Sequence, residues 1–382
     1  MQQVRYFDGN ATTPLCREAR KSWEEASDTW WYNSSSPFSL GSAVNVRIEK
    51  ERDVLASLLG TECEEIVFNS GATEGNNYVF WAWGRTCPAD KVVLLSSIEH
   101  PSVLQAAKFH LGNRLVEIPV SREGLLDYQS LKDYIGEENV WGCSVMAANN
   151  ETGVLQSWVE VRDLCQSQGV AFHTDAAQWI GKLPASDLGK CDLVTGCAHK
   201  FGGPKGVGFL KLSRAIGSDG FYKGGEQEGG FRAGTQDYPS ISSMMAALIS
   251  HETLLPEARN QFEDKLKGTI PDVIIVGSRV PRLAQTSMII LPRYENHRWV
   301  TLLSKRGFLV STGSACSSTS EDGSLVLKAM GYGDDETKRA VRISGGRWNS
   351  PGDWDDLAIA FEEVWRELEE KSAGISNVIS LD

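Results

Sequence analysis

The chain has 382 residues, with 38 Lys and Arg against 50 Asp and Glu and a formal charge of −12, and its pI lies near 5.1. That balance opposes direct binding to a nucleic-acid backbone, whose affinity comes from neutralised phosphates. No apolar run reaches the roughly 20 residues that a membrane-crossing helix needs, and Met1-Gln2-Gln3-Val4-Arg5 opens no secretory pattern, so a cytoplasmic protein without membrane or nucleic-acid partners is expected.

From residue 64 to 212, short β-branched runs alternate with helix-like segments. The runs are Glu65 to Phe68, Lys91 to Leu95, Val140 to Ala147, Val170 to His173, Cys191 to Val194 and Val207 to Leu210. This alternation predicts βαβ units and an α/β fold with a mainly parallel sheet, whose ligands sit beyond the carboxyl ends of the strands. A helix is expected over 241–253, and the texture changes at Leu254-Leu255-Pro256. Runs at 273–276, 287–291, 308–310 and 340–343 then read as a second, smaller α/β unit. The last helix has the clearest start: Ser350 as cap, Pro351 in the first position, and Trp354, Leu357, Phe361, Val364 and Leu368 at helical spacing. Its periodicity ends after Ser372.

Three segments between runs can carry chemistry. Asn69-Ser70-Gly71-Ala72-Thr73-Glu74-Gly75 joins a strand to a helix, where backbone N–H groups and the Thr73 hydroxyl can converge on a phosphate; a plain strand-to-helix turn explains it equally. His173-Thr174-Asp175 brings a carboxylate to the sheet edge. A pyridinium nitrogen is one partner that would offset its burial, helix capping is another reading, and His173 suits packing better than ligation. Thr195-Gly196-Cys197-Ala198-His199-Lys200 ends a strand on a lysine before a flexible turn, where its amine could form a Schiff base with a cofactor carbonyl. The eight cysteines are scattered, without Cys-x-x-Cys or zinc spacing, and most fit reduced, apolar positions. Cys316 differs. It follows Phe308-Leu309-Val310 within a run of small polar residues, 311–323, which suits an exposed loop and a reactive thiol.

In combination, Tyr6 to Pro14, Ser70-Gly71-Ala72-Thr73-Glu74, Glu99-His100, Asn149-Asn150-Glu151-Thr152-Gly153, His199-Lys200, Arg232-Ala233-Gly234-Thr235, Ser314-Ala315-Cys316 and Arg342 to Arg347 resemble the NifS/IscS-type cysteine desulfurases. These belong to the class V aminotransferase branch of fold-type I pyridoxal phosphate (PLP) enzymes. The resemblance implies a large PLP-binding domain over 16–254, and a small domain of 1–15 and 255–382 carrying the reactive-cysteine loop. It implies Lys200 as the Schiff-base lysine, Asp175 on the pyridine nitrogen, and His100 stacked on the ring and shuttling a proton. Gln178 would reach the ring hydroxyl, while Thr73 and His199 hold the phosphate. Thr235 matches a threonine that completes this site from the second subunit of a homodimer. Arg347, helped by Asn150, would grip the substrate carboxylate, as suits a planar guanidinium with two parallel donors. The implied reaction takes the sulfur of L-cysteine onto Cys316 as a persulfide, releases L-alanine, and passes the sulfur to an acceptor protein.

The chain departs from the family pattern at three places. Cys197 stands where a phosphate-binding serine is usual, and a thiol is the weaker donor, for which Thr195 or a backbone N–H could compensate. Asn33-Ser34-Ser35-Ser36-Pro37-Phe38 replaces the usual Asn-Pro-Ser-Ser-x-His, and Gly345 replaces a leucine. Two other readings fit the same residues: a PLP-dependent lyase or aminotransferase on cystine, selenocysteine or another amino acid, and a non-catalytic scaffold of the same fold.

Overall fold

The computed structural model describes residues 4–137, 139–216, 220–313 and 323–379. In chain order the strands are β1 (Arg5–Tyr6), β2 (Ile66–Asn69), β3 (Val92–Ser96), β4 (Leu115–Ile118), β5 (Val140–Ser144), β6 (Ala171–Asp175), β7 (Leu193–Cys197), β8 (Gly208–Leu212), β9 (Ile274–Ile275), β10 (Thr286–Ile290), β11 (Phe308–Leu309) and β12 (Ala340–Ser344). Seven form one sheet in the order β2-β8-β7-β6-β5-β3-β4. Only β8 is reversed, being antiparallel to β7 and β2, while β7, β6, β5, β3 and β4 pair in parallel. The expected mainly parallel sheet is present. Its strands read as near-continuous apolar runs because both faces are covered.

One face packs on α1 (Arg17–Thr29), α2 (Ser39–Leu59) and the helix Tyr238–Ile249, through Ala19, Val44, Ile48, Leu55, Ile241 and Met244. The other packs on α3 (Ala72–Thr86) and α4 (Pro101–Leu111), through Val79, Phe80, Trp83, Val103 and Leu111. His173 lies in the sheet centre, with Nδ1 2.8 Å from the Ser144 hydroxyl, Nε2 3.1 Å from that of Thr195, and Phe80 and Trp83 edge-on to its ring. It packs, as its position suggested. Burial drives its pKa down from 6.5 to about 4, with Asp175 opposing. Below pH 6.5 the unfolded chain therefore takes up a proton that the native ring refuses, and stability falls as pH drops toward 4, by up to about 1.4 kcal/mol per pH unit. Urea unfolding across this range checks it: His173→Gln should flatten the slope, and an unchanged slope would assign the acid sensitivity elsewhere.

A second set of elements holds its own core. β10 pairs antiparallel with β12 and β9, and β1 lies parallel to β11. Phe7, Phe262, Trp299, Trp354 and Phe361 fill the space between these strands and the helices Glu257–Thr269, Asn296–Lys305 and Pro351–Ile379. Arg5 ties the N-terminal strand to the last helix through Asp353, at 2.9 Å, and Asp356, at 2.6 Å. Gly345 has a packing reason: a Cβ there would lie 2.7 Å from the Trp354 ring, so a leucine does not fit.

Two boundaries differ from expectation. The helix expected over 241–253 runs over Tyr238–Ile249, because Asp237 accepts from the Ser240 N–H and so starts it earlier. It stops at Ser250, whose carbonyl accepts from Arg347. The last helix begins as expected, with the Asp353 N–H donating to the Ser350 hydroxyl, but continues to Ile379. Once a helix is nucleated on a buried stripe, each further residue adds a hydrogen bond without a new nucleation cost. No helix among the described residues is long and apolar enough to cross a membrane.

Candidate active site

The co-directed strands β2, β3, β5, β6 and β7 deliver their following residues to one edge of the sheet. There the turn after β2, His100, Asn150, Asp175 and Lys200 line a common cavity of about 430 Å³. The turn into α3 depends on glycine twice. Gly71 has φ +140°, which L side chains rarely adopt, and a Cβ on Gly208 would come within 2.7 Å of the Gly71 Cα. No side chain caps the 15-residue α3, and in its first turn the amides of Ala72, beside the Cys197 sulfur, and Thr73 have no backbone acceptor among the described residues and suit an anion, whereas that of Glu74 donates to the Gly71 carbonyl. Thr73 and His199 border this end of the cavity.

Asp175 ends β6 and is 5 % exposed. Its carboxylate accepts from the Asn76 side-chain amide at 2.8 Å and from the Ala177 N–H at 3.0 Å. Lys200 lies in the turn after β7, its amine donating to the carbonyls of Asn10 at 2.6 Å and Ala11 at 2.8 Å. Burial holds its pKa below the ordinary lysine value, with Cys197 opposing. Gln178 is oriented at both ends: its amide N–H donates to the Asn10 carbonyl at 3.0 Å and its carbonyl accepts from Lys182. Lys182 is itself pushed down to about 7, by burial first and then by the charge of Lys200. His199 sits 3.2 Å from the Thr12 hydroxyl and is held down to about 4 by burial and the neighbouring lysines. His100 caps α4, its Nδ1 accepting from the Ser102 N–H at 3.1 Å and lying 2.8 Å from the Ser102 hydroxyl.

Lys200 also lines a second cavity of about 420 Å³, and Arg347 opens into that one together with Lys182, His251 and Gln285. Asn150 lines the first cavity and Arg347 the second, and Lys200 lines both. Arg347 donates to the Ser250 carbonyl at 2.9 Å. Thr235 is exposed and lines neither cavity, although its loop is tied to the start of α3 by Arg232 and Glu74 at 3.0 Å.

Cys197 faces the anion end. Burial pushes its thiol up to about 11, and the backbone of Ala72 lies against its sulfur. Thr195 does not compensate for the missing serine, because its hydroxyl is turned to His173. Cys316 lies outside the described residues. The residues flanking its segment meet at the buried Glu151, which accepts from the Ser324 hydroxyl at 2.5 Å and would lie 3.3 Å from a Cβ on Gly313.

The sequence reading missed Asn10, Asn76, Ser102 and Lys182, all of which touch predicted site residues. Asn10 lay inside a quoted motif. The other three are single polar residues on helices or turns, and no spacing rule marks them.

The model of the aminotransferase class-V family matches residues 5–357. A cysteine desulfurase of Sinorhizobium fredii is 34 % identical over 379 residues, covering 96 % of this chain and 97 % of the relative. The cysteine desulfurase NifS of Azotobacter vinelandii is 33 % identical over 90 % of this chain and 88 % of its own. Among solved structures, a NifS-like protein superposes with TM-score 0.86 at 28 % identity, covering 96 % of this chain and 100 % of that one. SspA in complex with cysteine superposes with TM-score 0.81 at 27 % identity, covering 91 % and 100 %.

Proposed function

The chain belongs to the class-V aminotransferases, among their cysteine desulfurases, and from that premise we propose that it binds PLP in the cavity of Lys200 and Asp175 and transfers sulfur from L-cysteine to Cys316. The residues present fit the cofactor. Open amides at the start of α3 suit its phosphate, the buried Asp175 carboxylate suits a protonated pyridine nitrogen, and the amine of Lys200 lies in the same cavity with its charge disfavoured by burial. Bound there, PLP supplies the electron sink that makes loss of an amino acid's Cα proton feasible.

The chain's own groups do the rest. Lys200 would hold the cofactor through its aldehyde, and its amine, when free, would take the Cα proton of the substrate. Its depressed pKa keeps more of the amine in the neutral form that can do so. Gln178, clamped between Lys182 and Asn10, would offer its amide to the ring hydroxyl, and Thr73 and His199, which border the anion end of the cavity, would hold the phosphate. Arg347 and Asn150, approaching from the two cavities, would orient the carboxylate. A Cys316 thiolate would attack the substrate sulfur, the C–S bond breaking with its electrons going to Cβ, and a proton added at Cβ together with the proton returned to Cα would complete L-alanine. One thiol and L-cysteine thus give one persulfide and L-alanine, with no external oxidant. The neighbour crystallised with cysteine supports this substrate. The persulfide then passes to an acceptor protein.

The same reading calls for two copies of the chain. Phe38, Leu40, Val46, Val54 and Leu58 expose apolar surface on α2 and just ahead of it, with Trp31 65 % exposed nearby. A second copy covering that surface would also use Thr235, which is exposed and lines neither of the two cavities at Lys200.

The observation that carries the reading is the shared cavity of Lys200, Asp175 and His100 in a chain one-third identical to cysteine desulfurases along nearly its whole length. Mass spectrometry of the Cys316 peptide after incubation with L-cysteine should show one added sulfur, lost to a thiol acceptor. An unmodified Cys316 accompanied by alanine formation would sink it.

A further inference from the structure

The Asp175 carboxylate and the His100 ring are joined by an unbroken chain of hydrogen bonds through two residues that no motif singles out. The side-chain amide of Asn76 donates to Asp175 Oδ2 at 2.8 Å and to the Ser102 hydroxyl at 2.9 Å. Asn76 is fully buried, and its amide can be oriented only this way, since the reverse would set its oxygen against a carboxylate. With its oxygen already accepting from Asn76, the Ser102 hydroxyl has its own proton to give to His100 Nδ1, 2.8 Å away. The Ser102 backbone N–H donates to the same nitrogen at 3.1 Å. Two donors on Nδ1 leave no place for a proton there.

We infer that Asn76 and Ser102 are positioning residues that hold the His100 imidazole in its neutral form with the proton on Nε2, so that the ring offers the cavity a hydrogen-bond donor and not a base. This deepens the proposed function and rests on it only for what the ring faces. The sulfur of the substrate, or the thiolate that attacks it, would receive a hydrogen bond from Nε2, whereas the family likeness implies a ring that shuttles a proton. The charged and titratable groups around the ring act in the same direction or cancel. Burial opposes the imidazolium, Lys200 opposes it, Asp175 favours it, His199 is held down by burial and the neighbouring lysines, and burial raises the adjoining Glu99 well above the carboxylate range. The ordered donors at Nδ1 add a structural barrier, because forming the imidazolium would require the Ser102 hydroxyl to turn away and its N–H to lose its acceptor.

The test is long-range proton–nitrogen correlation NMR on histidine-labelled protein, with and without PLP, the His100 signal being assigned by its loss in His100→Asn. The wild type should show a neutral ring protonated on Nε2 from about pH 6 to pH 9 in both forms, a window that includes the values near 6.5 at which an unperturbed histidine gains its charge. Ser102→Ala should mix the tautomers or raise the ring's titration midpoint by about half a unit, the scale of one lost neutral hydrogen bond, and move the acidic limb of the kcat profile with it. Ser102→Thr, which keeps the hydroxyl, should restore the wild-type pattern. A wild-type ring protonated on Nδ1, or doubly protonated at neutral pH, would overturn the inference even if no variant folds. So would Ser102→Ala and Ser102→Thr behaving alike. Either failure leaves the persulfide on Cys316 untouched, so it is distinguishable from failure of the proposed function.

Discussion

Lys200→Ala should abolish turnover of L-cysteine, by more than the ~10⁴-fold upper range of a lost general base, because the same amine also anchors the cofactor. Borohydride reduction followed by denaturation should leave PLP on the Lys200 peptide of the wild type and on no peptide of the variant. Lys200→Arg should fail equally, since a guanidinium keeps the charge and has no amine to lose its proton. The fold should survive both changes. Among the described residues the lysine amine bonds only to the carbonyls of Asn10 and Ala11, at the border of two cavities where water can replace it. A folded Lys200→Ala protein that still forms alanine at a comparable rate would remove this residue from the chemistry.

Cys316→Ala should keep bound PLP and its visible absorption while losing cysteine-dependent alanine formation by at least about 10³-fold, as expected when a covalent route loses its nucleophile. Cys63, Cys87, Cys191 and Cys197 are poor substitutes. Burial is the main force raising Cys191 to about 12 and Cys197 to about 11, and it also raises Cys87. The thiol of Cys63 is raised to about 11, chiefly by its bond to Glu64. Such thiols hold little thiolate at neutral pH. Brief alkylation of the wild type should therefore label Cys316 first and remove activity in step with labelling. Alanine formation at the wild-type rate in Cys316→Ala would favour a lyase or aminotransferase reading.

Much of the architecture was legible because both of its signals are local. A parallel strand buried on two faces is mostly apolar, so β3, β5, β6 and β7 announce themselves as runs, and the reversed β8, equally buried, does the same. A helix start needs a cap within four residues, so Ser350 marks the last helix. Helix ends were less legible. The stop at Ser250 and the extension to Ile379 depend on a guanidinium 97 residues away and on helix propagation, and neither appears in the local pattern. In the site, Lys200 and Asp175 stood out because each follows a strand.

The sequence by itself determined which side chains follow the strands and so arrive at the carboxyl edge of a mainly parallel sheet, since each run spans only a few residues, while the strand order and the reversal of β8 came with the structure. Only the tertiary structure decided how those side chains are held: Lys182 against Gln178, Asn76 and Ser102 between Asp175 and His100, Thr195 turned to His173 instead of the anion end, and Arg347 in a separate cavity from Asn150. The reason is physical. Burial of a polar group must be matched by a partner, and in a crossed α/β sheet that partner comes from any element that reaches it, at a sequence distance that no local pattern encodes.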